Sequence, residues 1–191
     1  MSLQLKIIKP NDYSTMNWKN GGGITHEIAL AEGPRDFSWR LSIAEVSASG
    51  AFSLFQDHHR ILTVIEGNGI DLVSKTSTLS ARLKNPVSFS GNEKIHGQLS
   101  NGSIRDFNLI YDPEVIDADV DIIGENKTKQ IFLSGYLTLA VYAVHGSAFV
   151  GDKKINPFET LIGNPNGKEL SISSDGWAIA VTLRRFKKGD R

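Results

Sequence analysis

Three consecutive glycines, at positions 21–23, lie among side chains that could contact a small ligand. Because glycine has no Cβ, such a run can adopt positive φ angles and let another group approach the main chain closely. Trp18, Asn20 and Thr25 surround the run with an indole, an amide and a hydroxyl. The glycine amides would then bind an anion, with Gly22 at a positive φ. The alternative is a bulged hairpin turn that Trp18 anchors in the core, and spacing alone does not separate the two.

The residues that follow the glycines exclude a phosphate-binding loop. Such loops place spaced glycines before a helix and, in the P-loop, before a Lys-Ser/Thr pair. Residues 24–30 instead alternate like a strand, and neither feature follows the run. The glycines therefore do not predict a nucleotide site.

Two further segments carry polar side chains at every second position, which is the spacing that puts them on one face of a strand. Arg40 and Ser42 alternate with apolar residues in the first segment, and Asp106 and Asn108 do so in the second. Arg60 opens a third alternating segment. If these faces point into a barrel, they line one pocket. A free arginine in that pocket would select a carboxylate or a similar planar anion.

The same alternation has an ordinary explanation, because one face of an antiparallel sheet commonly faces solvent. An arginine inside a small barrel would need a partner, and Asp106 or Glu27 could supply it through charge-assisted hydrogen bonds. The candidate ligand-binding residues are Trp18, Asn20, Gly22, Thr25, Glu27, Arg40, Ser42, Arg60, Asp106 and Asn108.

Histidine-based metal binding is a weaker hypothesis. His58 and His59 are adjacent, so they point to opposite faces of any regular strand and cannot both reach one ion. Glu66 and His96 are the other available ligands, which leaves a metal-dependent oxygenase using His58, Glu66 and His96 as an alternative. We predict no metal site and no cofactor.

Composition limits the classes of partner. The 191 residues carry 21 Lys and Arg against 21 Asp and Glu, so no net charge draws the chain to nucleic acid or to an anionic membrane. No apolar run approaches the length of a membrane span, and the first residues lack the pattern of a signal peptide. These features predict a soluble cytoplasmic protein whose partner is small or proteinaceous. Together with the arginine-bearing strand faces, they lead us to expect a small anionic metabolite as the ligand of a monomer or homodimer.

Short alternating runs cut by Gly, Asn, Asp and Pro dominate the chain, which is typical of an all-β sandwich or barrel. The pattern of a strand, a glycine turn and a returning strand occurs at 62–72 and again at 141–150. A Pro-aromatic element follows each copy. The repetition predicts two tandem antiparallel barrels, one at 1–112 with the pocket and one at 113–191 after a connector. The apolar side chains of 137–144 predict a second barrel with a packed, non-catalytic interior.

Five segments that succeed each other along the chain are WKNGGGITHEI at 18–28, FSWRLSIA at 37–44, GAFSLF at 50–55, RILTV at 60–64 and DFNL at 106–109. Together they resemble the HutD/Ves family of the cupin superfamily. The resemblance implies two tandem cupin-like barrels, a bacterial source and, in some members, a link to histidine utilisation, with no established reaction. It also places most of the candidate residues in the family's motifs, which favours a pocket over a solvent-facing surface.

The leading hypothesis is a small-molecule-binding protein, a metabolite sensor or accessory factor that holds a carboxylate in the N-terminal barrel. Urocanate and formylated glutamate are the ligands that the family association implies. An enzyme is the alternative, either the metal-dependent oxygenase or an acid–base isomerase or hydrolase using His26 and Glu27. A structural or regulatory protein with a vestigial pocket is a third possibility.

Overall fold

The computed structural model describes residues 5–132, 137–165 and 169–186. Residues 1–4, which contribute to the prediction that no signal peptide is present, lie outside these ranges. Strands dominate the described residues, with one 3-10 helix at Pro10–Asp12, so the predicted all-β class is confirmed. In the same ranges no helix has the length and hydropathy of a membrane span.

The strands are short, as the frequent turn residues predict. In chain order they are β1 (Lys6–Ile8), β2 (Ser14–Asn17), β3 (Gly23–Glu32), β4 (Phe37–Val46), β5 (Gly50–Ala51), β6 (His59–Glu66), β7 (Ile70–Val73), β8 (Thr78–Ala81), β9 (Val87–Ser90), β10 (His96–Leu99), β11 (Ile104–Tyr111), β12 (Ile116–Ile123), β13 (Thr128–Phe132), β14 (Leu137–His145), β15 (Ala148–Val150), β16 (Lys153–Ile155), β17 (Thr160–Gly163), β18 (Glu169–Ser174) and β19 (Trp177–Arg185). They belong to two compact units.

The N-terminal unit, Tyr13–Pro113, contains two antiparallel sheets. One has the order β2-β3-β4-β11-β6-β9 and the other the order β5-β10-β7-β8. Apolar residues from both sheets pack into one core. Its fully or almost fully buried members include Leu62, Val64, Ile70 and Leu72. The alternating pattern therefore builds two sheets whose apolar faces meet.

Strand register in the six-stranded sheet places the candidate polar residues side by side. On neighbouring strands, Ser42 of β4 pairs with Asn108 of β11, and Ala44 pairs with Asp106. On the other side of β11, Ile110 pairs with Arg60 of β6. Because residues two apart along a strand share a face, Arg60, Asp106 and Asn108 share the face that carries Leu62 and Val64.

The C-terminal unit comprises Met1–Asp12 and Glu114–Arg191, with sheets of order β1-β17-β14-β19-β12 and β13-β18-β15-β16. Leu139, Val141 and Ala143 of β14 are fully buried. They pack with Leu161, Ile172 and other apolar side chains of both sheets. The predicted apolar interior of this unit is confirmed.

Two details differ from the sequence-based expectation. Each unit consists of two separate open sheets and not of a closed barrel. Residues 5–12 also group with the C-terminal unit and not with the N-terminal one. The reason is strand pairing, because β1 is an edge strand that pairs antiparallel with β17, with Lys6 opposite Ile162.

Candidate functional site

A cavity of about 540 Å³ lies in the N-terminal unit. Residues from β2 to β6, from β11 and from the connecting segments line it: Met16, Asn17, Trp18, Lys19, Asn20, Thr25, Arg40, Ser42, Ala44, Ala51, Phe52, Ser53, Phe55, Arg60, Asp106, Asn108 and Ile110. Eight of the ten candidate residues are among them, and Gly22 and Glu27 are not. The volume is within the range of small-molecule sites.

Burial decides between a pocket and a solvent-facing polar surface. The exposed fractions are 3% for Ser42, 6% for Arg60, 1% for Asp106 and 4% for Asn108. Buried polar groups need partners, and a buried charge is costly without one. The polar face of these strands is therefore an interior feature of the protein.

Arg60 is the central cation of the cavity. Its Nη2 donates to Asn108 Oδ1 at 3.1 Å, and its Nη1 donates to the Ser53 carbonyl oxygen at 3.3 Å. Nε has no hydrogen-bond partner among the described residues, and the guanidinium makes no ion pair within 4 Å there. Burial lowers the pKa of Arg60 to about 10, and nearby Asp106 opposes that shift. The group therefore remains charged at neutral pH.

Three phenylalanine rings surround the same guanidinium. The Arg60 Cζ lies 5.0 Å from the ring centroid of Phe89, 5.1 Å from that of Phe52 and 5.3 Å from that of Phe55. The negative faces of aromatic rings attract a cation at these distances. The rings thus hold the guanidinium in place without supplying a hydrogen-bond acceptor.

Asp106 is the acidic group of the cavity. Asn108 Nδ2 donates to Asp106 Oδ1, whereas Asp106 Oδ2 has no hydrogen-bond partner among the described residues. Burial raises the pKa of Asp106 to about 7, and the charge of Arg60 and the Asn108 hydrogen bond oppose that rise. The carboxyl group is therefore close to half protonated at neutral pH.

A second arginine of the cavity, Arg40, is already neutralised. Its Nε donates to Glu27 Oε2 at 2.7 Å, and both side chains are largely buried. Glu27 does not line the cavity, but it forms an ion pair with the lining residue Arg40. Of the two arginines, Arg60 is the one that forms no ion pair among the described residues, and Asp106 is the nearby acidic group.

The glycine run forms the turn between β2 and β3. Trp18 N donates to the Gly23 carbonyl oxygen at 2.9 Å, and Trp18 Nε1 donates to Thr25 Oγ1 at 2.8 Å. Gly21 has φ of +72°, but Gly22 does not adopt a positive φ. The Gly22 amide donates to Asn20 Oδ1 at 3.0 Å. The expectation of a left-handed Gly22 with a free amide is therefore wrong, because the Asn20 side chain satisfies that amide locally.

Close packing explains the third glycine. A Cβ on Gly23 would lie 2.5 Å from the Glu45 carbonyl oxygen. Trp18, Asn20 and Thr25 line the cavity while residues 21–23 turn the chain beside them. The run thus lies beside side chains that line the cavity and does not itself line it.

The histidines do not assemble a metal site in the described residues, where no group of three potential ligands occurs. His58 is buried, with Nδ1 2.7 Å from the Gln56 carbonyl oxygen and Nε2 3.0 Å from that of Phe37. Both ring nitrogens thus face backbone oxygens. His58 braces the chain between β5 and β6 against β4, and it is not placed to bind an ion with His96 and Glu66.

His26 and Glu27 contact different partners and do not form the pair that acid–base catalysis by both would need. His26 Nε2 lies 3.3 Å from Glu45 Oε1, and its Nδ1 lies 2.9 Å from Thr15 Oγ1. Glu27 contacts Arg40 instead. The reason is strand alternation, which directs consecutive residues to opposite faces.

Sequence reasoning missed the aromatic part of the site. Phe52, Ser53 and Phe55 line the cavity from the segment between β5 and β6. Strand alternation carries no information there, because the segment is irregular. The motif GAFSLF at 50–55, one of the segments that carry the family resemblance, is the sequence feature that could have indicated these residues.

Comparison with known proteins establishes the family. The HutD family model matches residues 10–180. The chain belongs to the HutD family. This HutD-family chain is similar to Protein Ves of Escherichia fergusonii, with 35% identity over 140 residues and 71% of each chain covered.

Two further relatives of the HutD-family chain are informative. An uncharacterized 21.2 kDa protein in the hutC 3' region of Pseudomonas putida is 44% identical over 114 residues, which are 58% of this chain and 60% of that protein's length. A structure of HutD from Pseudomonas fluorescens SBW25, solved in a formate condition, is 32% identical with a TM-score of 0.86. The similarity covers 96% of this chain and 100% of that one.

Proposed function

We propose that this HutD-family protein binds a small carboxylate in the cavity of its N-terminal unit and acts as a metabolite sensor or accessory factor of histidine utilisation. The observation that carries the proposal is the Arg60 guanidinium, which is 6% exposed, lines the cavity and makes no ion pair in the described ranges. A buried cation that forms no ion pair favours an anion that can enter beside it.

The chemistry of the lining favours a carboxylate among anions. Guanidinium groups bind planar carboxylates with directional hydrogen bonds, and Arg60 Nε–H is still available as a donor. Phe52, Phe55 and Trp18 add apolar surface for the rest of the ligand. The lining therefore combines polar groups that can orient a ligand with apolar surface that can contact the rest of it.

Family membership supports the metabolic context. A relative lies in a hutC 3' region, and the family resemblance implies urocanate or formylated glutamate as ligands. Each contains a carboxylate, and formate, present in the condition of the Pseudomonas fluorescens HutD structure, is the smallest member of that class. We place this binding in a cytoplasmic protein with two cupin-like units.

Calorimetric titration of Arg60→Met tests the proposal, with formate, benzoate, urocanate and N-formylglutamate as probes. Each charge-assisted hydrogen bond contributes about 1.5–3 kcal/mol, so losing one weakens binding at least about tenfold. Arg184→Met is the matched control, since Arg184 is half exposed and pairs with Asp117 in the C-terminal unit. Unfolding temperatures verify that both variants fold.

The wild type and the control should bind at least one probe with equal affinity, and Arg60→Met should bind it more weakly. Equal affinity of all three proteins for every probe would refute the role of Arg60. Failure of the wild type to bind any probe would refute the carboxylate site.

Acid–base catalysis on the bound carboxylate is a second candidate function. The observation in its favour concerns Asp106. Burial raises the pKa of this residue to about 7, which is near the pH at which a general acid or base works best. Nuclear magnetic resonance of each probe incubated with the protein tests it. New signals that Asp106→Asn abolishes would support catalysis, and unchanged spectra would support a binding function alone.

A further inference from the structure

Asn108 determines which oxygen of Asp106 can carry a proton. The Asn108 side-chain oxygen accepts from Arg60 Nη2 at 3.1 Å, so its NH₂ group must face the other way. That NH₂ donates to Asp106 Oδ1. Because Oδ1 accepts this hydrogen bond, a proton bound to Asp106 lies on Oδ2.

Two buried polar atoms of the cavity lining have no hydrogen-bond partner in the part of the chain that the structure describes. One is Arg60 Nε, which carries a hydrogen and can only donate. The other is Asp106 Oδ2, which donates when Asp106 is protonated and accepts when it is ionised. Both side chains line the same cavity. Buried polar atoms without partners are rare in native proteins, and a ligand is one explanation for them.

A carboxylate satisfies both atoms only when Asp106 is neutral. Its two oxygens then accept one hydrogen from Arg60 Nε and one from Asp106 Oδ2. An ionised Asp106 would instead place a second negative charge against the ligand in a poorly solvated site, where like charges repel strongly.

We propose that carboxylate binding in this cavity is coupled to protonation of Asp106, so that Arg60 and the neutral Asp106 carboxyl donate together to the bound anion. The inference rests on the proposed carboxylate-binding function. When Asp106 is ionised before binding, one proton is taken from solvent for each anion bound, and it returns to solvent when the anion leaves. The site therefore selects carboxylates by charge and couples their affinity to pH.

The described lining around Asp106 contains no second carboxylate and no histidine. Lys19, Arg40 and Arg60 are the charged side chains that line the cavity with it, and Glu27 pairs with Arg40. Histidine, which ordinarily titrates near neutral pH, is absent from the described lining. Because burial raises the pKa of Asp106 to about 7, the coupling operates around neutral pH.

Titration of the full chain with benzoate and with formate at pH 6 and pH 9 measures the coupling. If only the neutral Asp106 form binds, mass action with a pKa of about 7 weakens the affinity about 100-fold from pH 6 to pH 9. Calorimetric titrations in buffers of different ionisation enthalpy measure the number of protons taken up on binding. We expect nearly one proton per anion at pH 8 and almost none at pH 5. Benzamide, a neutral analogue of benzoate, should show no proton uptake.

Asp106→Asn separates the coupling from other causes. The asparagine amide can donate where protonated Oδ2 does, and its oxygen can accept from Asn108. The variant should therefore bind benzoate at pH 9 about as tightly as the wild type does at pH 6, without proton uptake. Asp71→Asn is the matched control, because Asp71 lies in the other sheet with Ser80 and Arg82 and outside the cavity lining. It should keep the wild-type pH dependence.

The outcomes distinguish failure of the proton coupling from failure of the carboxylate site itself. Binding of benzoate or formate with the same affinity at both pH values, and with enthalpy that does not depend on the buffer, overturns the coupling while the carboxylate site stands. Wild-type pH dependence in Asp106→Asn also overturns it. No binding of either anion at pH 6 overturns the carboxylate site and the coupling together. Should Asp106→Asn fail to fold, the buffer series on the wild type still decides.

Discussion

Replacing Asp106 by Asn should change how the stability of the protein depends on pH. Burial raises the pKa of Asp106 from its ordinary value of 3.8 to about 7, so the folded state holds a proton that the unfolded state releases. By linkage, this group contributes stability that is fully present below about pH 4 and is lost as the pH rises through 7. An asparagine does not titrate, so the variant lacks this contribution at every pH.

The size of the effect follows from the two pKa values. They differ by about 3 pH units, and one unit corresponds to about 1.4 kcal/mol, so the wild type should lose about 4 kcal/mol relative to Asp106→Asn between pH 4 and pH 8. That is a large share of the total for a protein whose free energy of unfolding is typically about 5–15 kcal/mol. Arg60 does not contribute to the difference, since burial lowers its pKa only to about 10.

Urea unfolding of both proteins at a series of pH values measures the difference. Buffers without carboxylates are required, because a bound anion would itself stabilise the folded state. Titrating groups that do not interact with Asp106 act equally in both proteins and cancel in the comparison. A difference in unfolding free energy that stays constant from pH 4 to pH 8 would refute the raised pKa of Asp106 and the reasoning built on its burial.

Two further predictions concern packing. Leu139→Ala should cost about 2–5 kcal/mol of unfolding free energy, because Leu139 is fully buried in the C-terminal core, and benzoate affinity should be unchanged in the folded variant. Gly23→Ala should lower the unfolding temperature, since its Cβ would lie 2.5 Å from the Glu45 carbonyl oxygen, whereas Gly22→Ala should leave it nearly unchanged with the nearest Asn20 atom at 3.4 Å. Equal melting of the two glycine variants would contradict the second prediction.

The all-β class could be predicted because apolar and polar residues alternate along a long strand that has one buried face and one polar face. In β4 and β11, apolar and polar residues alternate, and register then brings Ser42 beside Asn108. Strands β2 and β10 could not be found this way. Their sequences, STMN and HGQL, contain no alternating apolar pattern, and they are strands because neighbours pair with them.

The alternation of side chains along the strands predicted which polar residues line the candidate site better than it predicted their roles. It placed Arg40 in the pocket but did not show which arginine would be paired; the expected carboxylate partner is Glu27, and it pairs with Arg40. Gly22 was assigned a direct role because three glycines suggest an exposed backbone. The Asn20 side chain instead satisfies the Gly22 amide, a local contact that residue type alone does not specify.

The aromatic rings around Arg60 bear on how the site can discriminate among ligands. Phe52, Phe55 and Phe89 stabilise a charge without donating or accepting a conventional hydrogen bond, so the guanidinium keeps a donor for an incoming anion. A carboxylate in place of any of these rings would neutralise Arg60 as Glu27 neutralises Arg40. The polar partner that Arg60 does have, Asn108, is neutral and orients Asp106. In the proposed function, this arrangement leaves Arg60 Nε as a hydrogen-bond donor for a carboxylate ligand.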